Sequence, residues 1–157
     1  MKRSSLIAIA AIGIMALLSL SAFAFASTPK NGAMAGVVVA PRNAALEVAD
    51  QPGAGAAGSI TVDRTFAPGD SWVVVHLDMD GKPGKRVGVR HVPAGESRGV
   101  TVALAPSVKL TDKLLVALHA DRGVTGKFEF DMMRFESSPD KPYFVDGMEL
   151  ARAIQVK

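Results

Sequence analysis

SWVVVHLD (Ser71–Asp78) and KLLVALHA (Lys113–Ala120) contain two cores, Trp72–Leu77 and Leu114–Ala120, that are apolar on both alternating faces. Successive side chains of an extended chain point to opposite sides, so a run without a polar face must be covered above and below. The valines Val73, Val74, Val75 and Val116 fit a pleated, packed surface. Both runs are therefore expected as central strands.

Weaker runs flank them at intervals of about 8–14 residues: Ala45–Gln51, Ser59–Ala67, Lys85–Val92, Gly99–Leu104, Lys127–Met132 and Met148–Val156. Several alternate with period two. Ile60, Val62 and Phe66 oppose Thr61, Asp63 and Thr65, and Phe128, Phe130 and Met132 oppose Lys127, Glu129 and Asp131. That pattern places one face in a core and the other in water. Pro68-Gly69-Asp70, Asp80-Gly81-Lys82-Pro83-Gly84, Pro93-Ala94-Gly95 and Asp121-Arg122-Gly123 punctuate the runs as turns. No long amphipathic helix pattern follows residue 26, Met148–Val156 is ambiguous, and Pro52–Gly58 is a Gly/Ala-rich loop. The expected fold class is all-β: an antiparallel immunoglobulin-like β-sandwich of about 7–8 strands after an N-terminal signal helix.

The N-terminus has the three-part anatomy of a signal peptide. Lys2 and Arg3 are basic, Leu6–Leu20 is apolar apart from Gly13 and Ser19, and Ala22-Phe23-Ala24 and Ala24-Phe25-Ala26 are small-x-small cleavage signals. Cleavage after Ala26 is expected to leave Ser27 first. An uncleaved segment 6–26 is just long enough to anchor the chain in a bilayer. The expected organisation is a signal peptide 1–26, a linker and N-terminal strand region 27–44, and a β-sandwich domain 45–157. Location is then exported, periplasmic or extracellular.

Removing this segment changes the composition. The chain has 157 residues, 48% apolar, 21% charged and 6% aromatic, with a net charge of +3. Without Lys2 and Arg3, 16 basic residues face 15 acidic ones, close to neutrality. That removes the basic surplus a nucleic-acid-binding surface needs. The chain has no cysteine, which excludes disulfides, a Cys nucleophile, Cys-ligated zinc and a blue-copper thiolate.

His76 and His119 stand in similar contexts, VVVHLD and VALHAD, each with an Asp two residues on and hence on the same strand face. With His91 they are the candidate metal ligands of a cupredoxin-like periplasmic metal-binding protein. If the two central strands are antiparallel neighbours, however, His76 and His119 lie at opposite ends, on the order of 13 Å apart. Structural hydrogen bonding is the favoured reading, with no metal and no cofactor. Asp78-Met79-Asp80-Gly81 resembles the start of a calcium loop but continues with Lys82 and Lys85 and reads as a turn. Asp140 and Asp146, around Pro142-Tyr143, read as loop carboxylates in solvent, and Met132-Met133 as one core and one surface residue, not a copper–thioether site. Lys82, Lys85, Arg86, Arg90 and Arg98 form a candidate anion-binding patch opposed only by Glu96. The competing account is an edge strand whose charges discourage pairing with other chains. No nucleophile elbow, phosphate loop or zinc-protease motif occurs, so an enzyme is not expected.

Ala49-Asp50-Gln51, Val73-Val74-Val75-His76, Val87-Gly88, Ala94-Gly95, Val100-Thr101-Val102 with Leu104, Leu118-His119-Ala120-Asp121, Phe128-Glu129-Phe130 and Asp140-Lys141-Pro142-Tyr143 follow one another in order. This series resembles an exported β-sandwich domain family of unknown function, found in haloarchaeal cell-surface proteins and small bacterial exported proteins. The resemblance runs from about Ala45 to Val156, although this chain lacks the acidity of the haloarchaeal members. It implies a fold and an address and brings no catalytic residues. The functional expectation is a non-catalytic binding or structural role at the cell envelope, toward an envelope polymer or another exported protein. Membrane contact is expected only through an uncleaved signal segment, and no nucleic acid is expected as partner.

Overall fold

A computed structural model describes residues 37–157, so the expected signal peptide and most of the linker lie outside the described residues. The strands are β1 (Val38–Val39), β2 (Ala45–Glu47), β3 (Ser59–Ala67), β4 (Ser71–Asp78), β5 (Pro83–Val92), β6 (Gly95–Ala103), β7 (Lys113–Ala120), β8 (Lys141–Val145), β9 (Met148–Glu149) and β10 (Ala151–Gln155). Among the described residues, helix is confined to one turn, α1 (Ala54–Ala57), in the Gly/Ala-rich loop and a 3₁₀ turn at Met132–Arg134.

The strands form two sheets. The larger runs β1-β8-β7-β4-β5, with β10 also on β7 and β9 on β8; the smaller is β2-β3-β6. Pairing is antiparallel except between β1 and β8. As their two-sided apolarity requires, β4 and β7 lie side by side in the middle of the larger sheet. Val73, Val75, Leu114, Val116 and Leu118 face inward and meet Leu46, Ile60, Val62 and Val102 of the smaller sheet in the core. β5 is an edge of the larger sheet, so its charged side chains lie where strand addition would begin.

Where the chain enters α1, Gln51 N–H donates to the Gln155 carbonyl (2.8 Å) and Gly53 N–H to the Val156 carbonyl (3.1 Å). β2 stops at Glu47, short of the expected Gln51, because a side chain takes over the pairing. The Gln51 amide donates to the Thr61 carbonyl (2.7 Å) and accepts from the Thr61 N–H (2.8 Å).

Two expectations are corrected here. Lys127–Met132 is not a strand. It carries the predicted alternation, but its backbone is satisfied by side chains: Glu129 N–H donates to Asp140 Oδ2 (2.6 Å) and Asp131 N–H to Ser138 Oγ (2.8 Å). The segment lies on a sheet face instead of extending a sheet edge. Pro142-Tyr143 is not a loop but part of β8, paired through Pro142 with His119. A proline inside the run hides it as a strand. The turn Asp146-Gly147 joins β8 to β9, both residues with positive φ (50° and 82°), as a two-residue Asp-Gly hairpin allows.

Candidate functional site

Trp72, Val74 and His76 of β4 and Leu115, Ala117 and His119 of β7 point away from the inter-sheet core, yet all six are buried. Residues 121–140 lie over Trp72, His76 and His119. This long connection crosses the outer face of the larger sheet and lays Phe128, Phe130 and Phe135 on it. Phe128 stands edge-on to Trp72 at 5.5 Å between ring centroids, Phe130 edge-on to His119 at 4.8 Å, and Phe135 edge-on to Phe130 at 5.7 Å. Such edge-to-face pairs add modestly to the burial itself.

Buried polar groups hold the cover down. Asp140, expected in solvent, is fully buried, a correction with a clear cause: its carboxylate accepts the backbone N–H groups of Arg122 (3.0 Å), Gly123 (3.4 Å) and Glu129 (2.6 Å). Lys141 is also buried, donating to the carbonyls of Phe135 and Glu136 and lying 5.3 Å from the Phe135 ring centre. Asp121 Oδ2 accepts from Gly126 N–H at 2.7 Å. Met132 and Met133, expected as one core and one surface residue, are both exposed, at 43% and 92%, because the 3₁₀ turn breaks the alternation. Asp146 does face solvent, paired with Arg42.

The three histidines share one face of the sheet but do not converge. Trp72 pairs with His91 on one side and His119 on the other, so its indole stands between them. His91 packs edge-on against Trp72 at 4.8 Å, with its Nε2 3.3 Å from Asp121 Oδ2. His76 and His119 are four residues out of register, yet their ring centroids are 6.3 Å apart, not on the order of 13 Å as expected. The backbone count omitted side-chain reach. Ala117, paired with Val74, presents only a methyl group between them, which leaves both rings room to lean together.

His76 Nδ1 lies 2.9 Å from the Gly84 carbonyl, which can only accept, so Nδ1 carries the proton and Nε2 the lone pair. Burial lowers the His76 pKa, opposed by that hydrogen bond and reinforced by the charge of Arg86. Burial, with a contribution from His76, lowers His119 to about 3. His119 Nδ1 is buried without a hydrogen-bond partner. Glu149 lies near the same cluster, its carboxyl raised by burial. A cavity of about 60 Å³ is lined by His76, His119, Met132 and Glu149 with the rings of Phe130, Phe135 and Phe144. Beside it an open groove of about 340 Å³ is lined by His76, Lys85, Arg86, Phe128, Phe130 and Met132. Sequence reasoning missed Glu149 and the Phe135 ring, although Asp146-Gly147 signals the hairpin that carries Glu149 back beside β8.

The basic residues divide between two places. The Arg86 guanidinium lies over the Phe128 ring, 4.8 Å from its centre, and shares the open groove with Lys85. Arg90 and Arg98 line a separate groove of about 580 Å³ between β5 and β6. Arg98 is paired there with Glu96, which also binds Arg64. Lys82 lies in the Asp80-Gly81 turn, where the positive φ of both residues (57° and 79°) and the Asp78 carboxylate accepting Gly81 N–H make a hairpin turn instead of a calcium loop.

Fold and site together define a two-sheet β domain with one outer face sealed by an aromatic cover over paired histidines. The chain belongs to the family described as a domain of unknown function (DUF7282), which matches residues 44–157. No curated protein and no solved structure gives a significant match. Among the described residues, no group of three or more His, Cys, Asp or Glu side chains is placed to hold a metal ion, and no helix is long and apolar enough to cross a membrane.

Proposed function

We propose that this chain is an exported immunoglobulin-like domain with a non-catalytic binding or structural role in the cell envelope, like the haloarchaeal and bacterial exported proteins its sequence resembles. The observation that carries the reading is the basic, apolar and Ala-Phe-Ala order of residues 1–26 ahead of a two-sheet domain. The use of buried polar groups supports it. Asp140, Lys141 and Ser138 spend their hydrogen bonds on the backbone of their own chain, as groups that hold loops in place do. The partner is an envelope polymer or another exported protein, met through an outer surface of the sandwich. The groove between β5 and β6, with Arg90, Ser97, Arg98 and Thr101, suits an anionic polymer.

The test is cell fractionation followed by intact-mass measurement. The expected product lies outside the cytoplasm and begins at Ser27. Full-length protein carrying Met1 and recovered from the cytosol would overturn the reading.

A further inference from the structure

The cavity under the aromatic cover brings together side chains that neither the fold nor an envelope-binding role requires. His76 and His119 are both buried on the outer face of the larger sheet, with their rings 6.3 Å apart. His76 is oriented by its Nδ1 hydrogen bond to the Gly84 carbonyl, the kind of anchoring that metal-ligating imidazoles use. His119 Nδ1 has no hydrogen-bond partner, a costly arrangement that an added ligand atom would relieve. The thioether of Met132 and the carboxyl of Glu149 line the same space.

The spacing is close to that of an ion held in line. With metal–nitrogen bonds of about 2.0 Å and roughly 1 Å from ring nitrogen to ring centre, two imidazoles opposed across one metal have centroids about 6 Å apart, and bent ones about 5 Å. The two rings stand at 6.3 Å with their planes 27° apart, so a small closing shift brings them to the in-line distance. Among the described residues no three His, Cys, Asp or Glu side chains are placed to hold one ion, which removes a zinc set of two His and one Glu, and two imidazoles with a thioether suit a d¹⁰ monovalent ion that accepts low coordination. Arg86 opposes a cation here, but its guanidinium lies over Phe128, and Glu149 is the acidic group that would supply the balancing charge on ionising. We propose that His76, His119 and Met132 form a copper(I) site beneath the aromatic cover, with Glu149 as the counter-charge.

This site goes beyond the envelope role proposed above and differs from a three-histidine site, because Trp72 keeps His91 out of it. Failure of one proposal leaves the other standing. The test is anaerobic titration of the purified protein with copper(I) against a chromophoric chelator, repeated with silver(I) under native mass spectrometry. One ion per chain is expected, with nitrogen and sulfur ligands in the X-ray absorption spectrum. Met132→Leu, a half-exposed position the fold tolerates, and His76→Gln should each weaken binding by about tenfold or more. His91→Gln should leave it unchanged. If His76→Gln unfolds by circular dichroism, Met132→Leu and loss of the sulfur signal decide. The proposal is overturned by absence of a one-to-one complex, by binding that survives Met132→Leu, or by binding lost when the exposed Met79, Met133 and Met148 are replaced together.

Discussion

Acidification should unfasten this domain through His119. The imidazole is buried on the outer face of β7 against Phe128 and Phe130, with its pKa lowered from 6.5 to about 3, first by burial and then by His76. A folded-state pKa below the unfolded one means that the stability is fully present above the unfolded value and is lost as pH falls toward the folded one. The window is therefore about pH 6.5 down to about 3. At pH 5 the unfolded chain has taken up nearly a full proton at this residue and the folded chain almost none, a penalty of about 2 kcal/mol relative to pH 8. His76 adds a penalty of the same sign. The assay is urea unfolding at both pH values for the wild type and for His119→Phe, which fills the site without a titrating group. Every other ionisable residue is common to both proteins, so the difference between their pH dependences isolates His119. The wild type should lose about 2 kcal/mol more than the variant. Equal losses would refute the assignment of a neutral, desolvated imidazole to this face.

Glu149 should act in the opposite sense, because burial raises its carboxyl and the folded state favours the neutral acid. Its stabilising contribution is present in acid and lost as pH rises, so Glu149→Gln should raise the urea midpoint at pH 8 and leave it nearly unchanged at pH 4. Phe130→Ala should cost about 2–3 kcal/mol, below the loss for a fully buried ring, because Phe130 is half-buried. Hydrogen exchange should then accelerate in residues 121–140 and spare the inward faces of β4 and β7. Asp140→Asn removes a charged acceptor of three N–H bonds and should cost about 2–4 kcal/mol, read as new protease cleavage between 121 and 140. Gly88→Ala should destabilise by about 1–3 kcal/mol in thermal unfolding, since a methyl group there meets the Ala103 carbonyl at 2.8 Å.

The central strands were legible because their pattern has one explanation. A run apolar on both faces must be covered twice, and the bounds of β3, β4 and β7 match the expected runs. The cover was not legible, for the same physical reason seen from the other side. Alternation at Phe128, Glu129 and Phe130 reports which side chains are buried and says nothing about what the backbone pairs with. Side-chain acceptors from Asp140 and Ser138 satisfied this segment as well as a neighbouring strand would have. The histidine pair failed as a backbone argument, since 6.3 Å between rings follows from two side chains leaning over Ala117. Lys141, Asp140 and Ser138 look in sequence like any polar loop. Their burial is set by a connection between distant parts of the sheet that local composition does not encode.

The arrangement around β7 bears on when the domain can form. One edge of β7 pairs with β4, while the other is shared by β10 along Lys113–Ala117 and by β8 at His119 and Ala120. Leu150 joins the two halves, accepting from Leu118 N–H and donating to the Tyr143 carbonyl. At the other end of the chain, Val38 and Val39 lie against Tyr143 and Phe144. The central strand of the larger sheet thus waits for the last seventeen residues, and the first described strand has nothing to pair with until β8 arrives. Long-range closure of this kind is slow. Until those residues are available, the larger sheet stays open along one edge of β7.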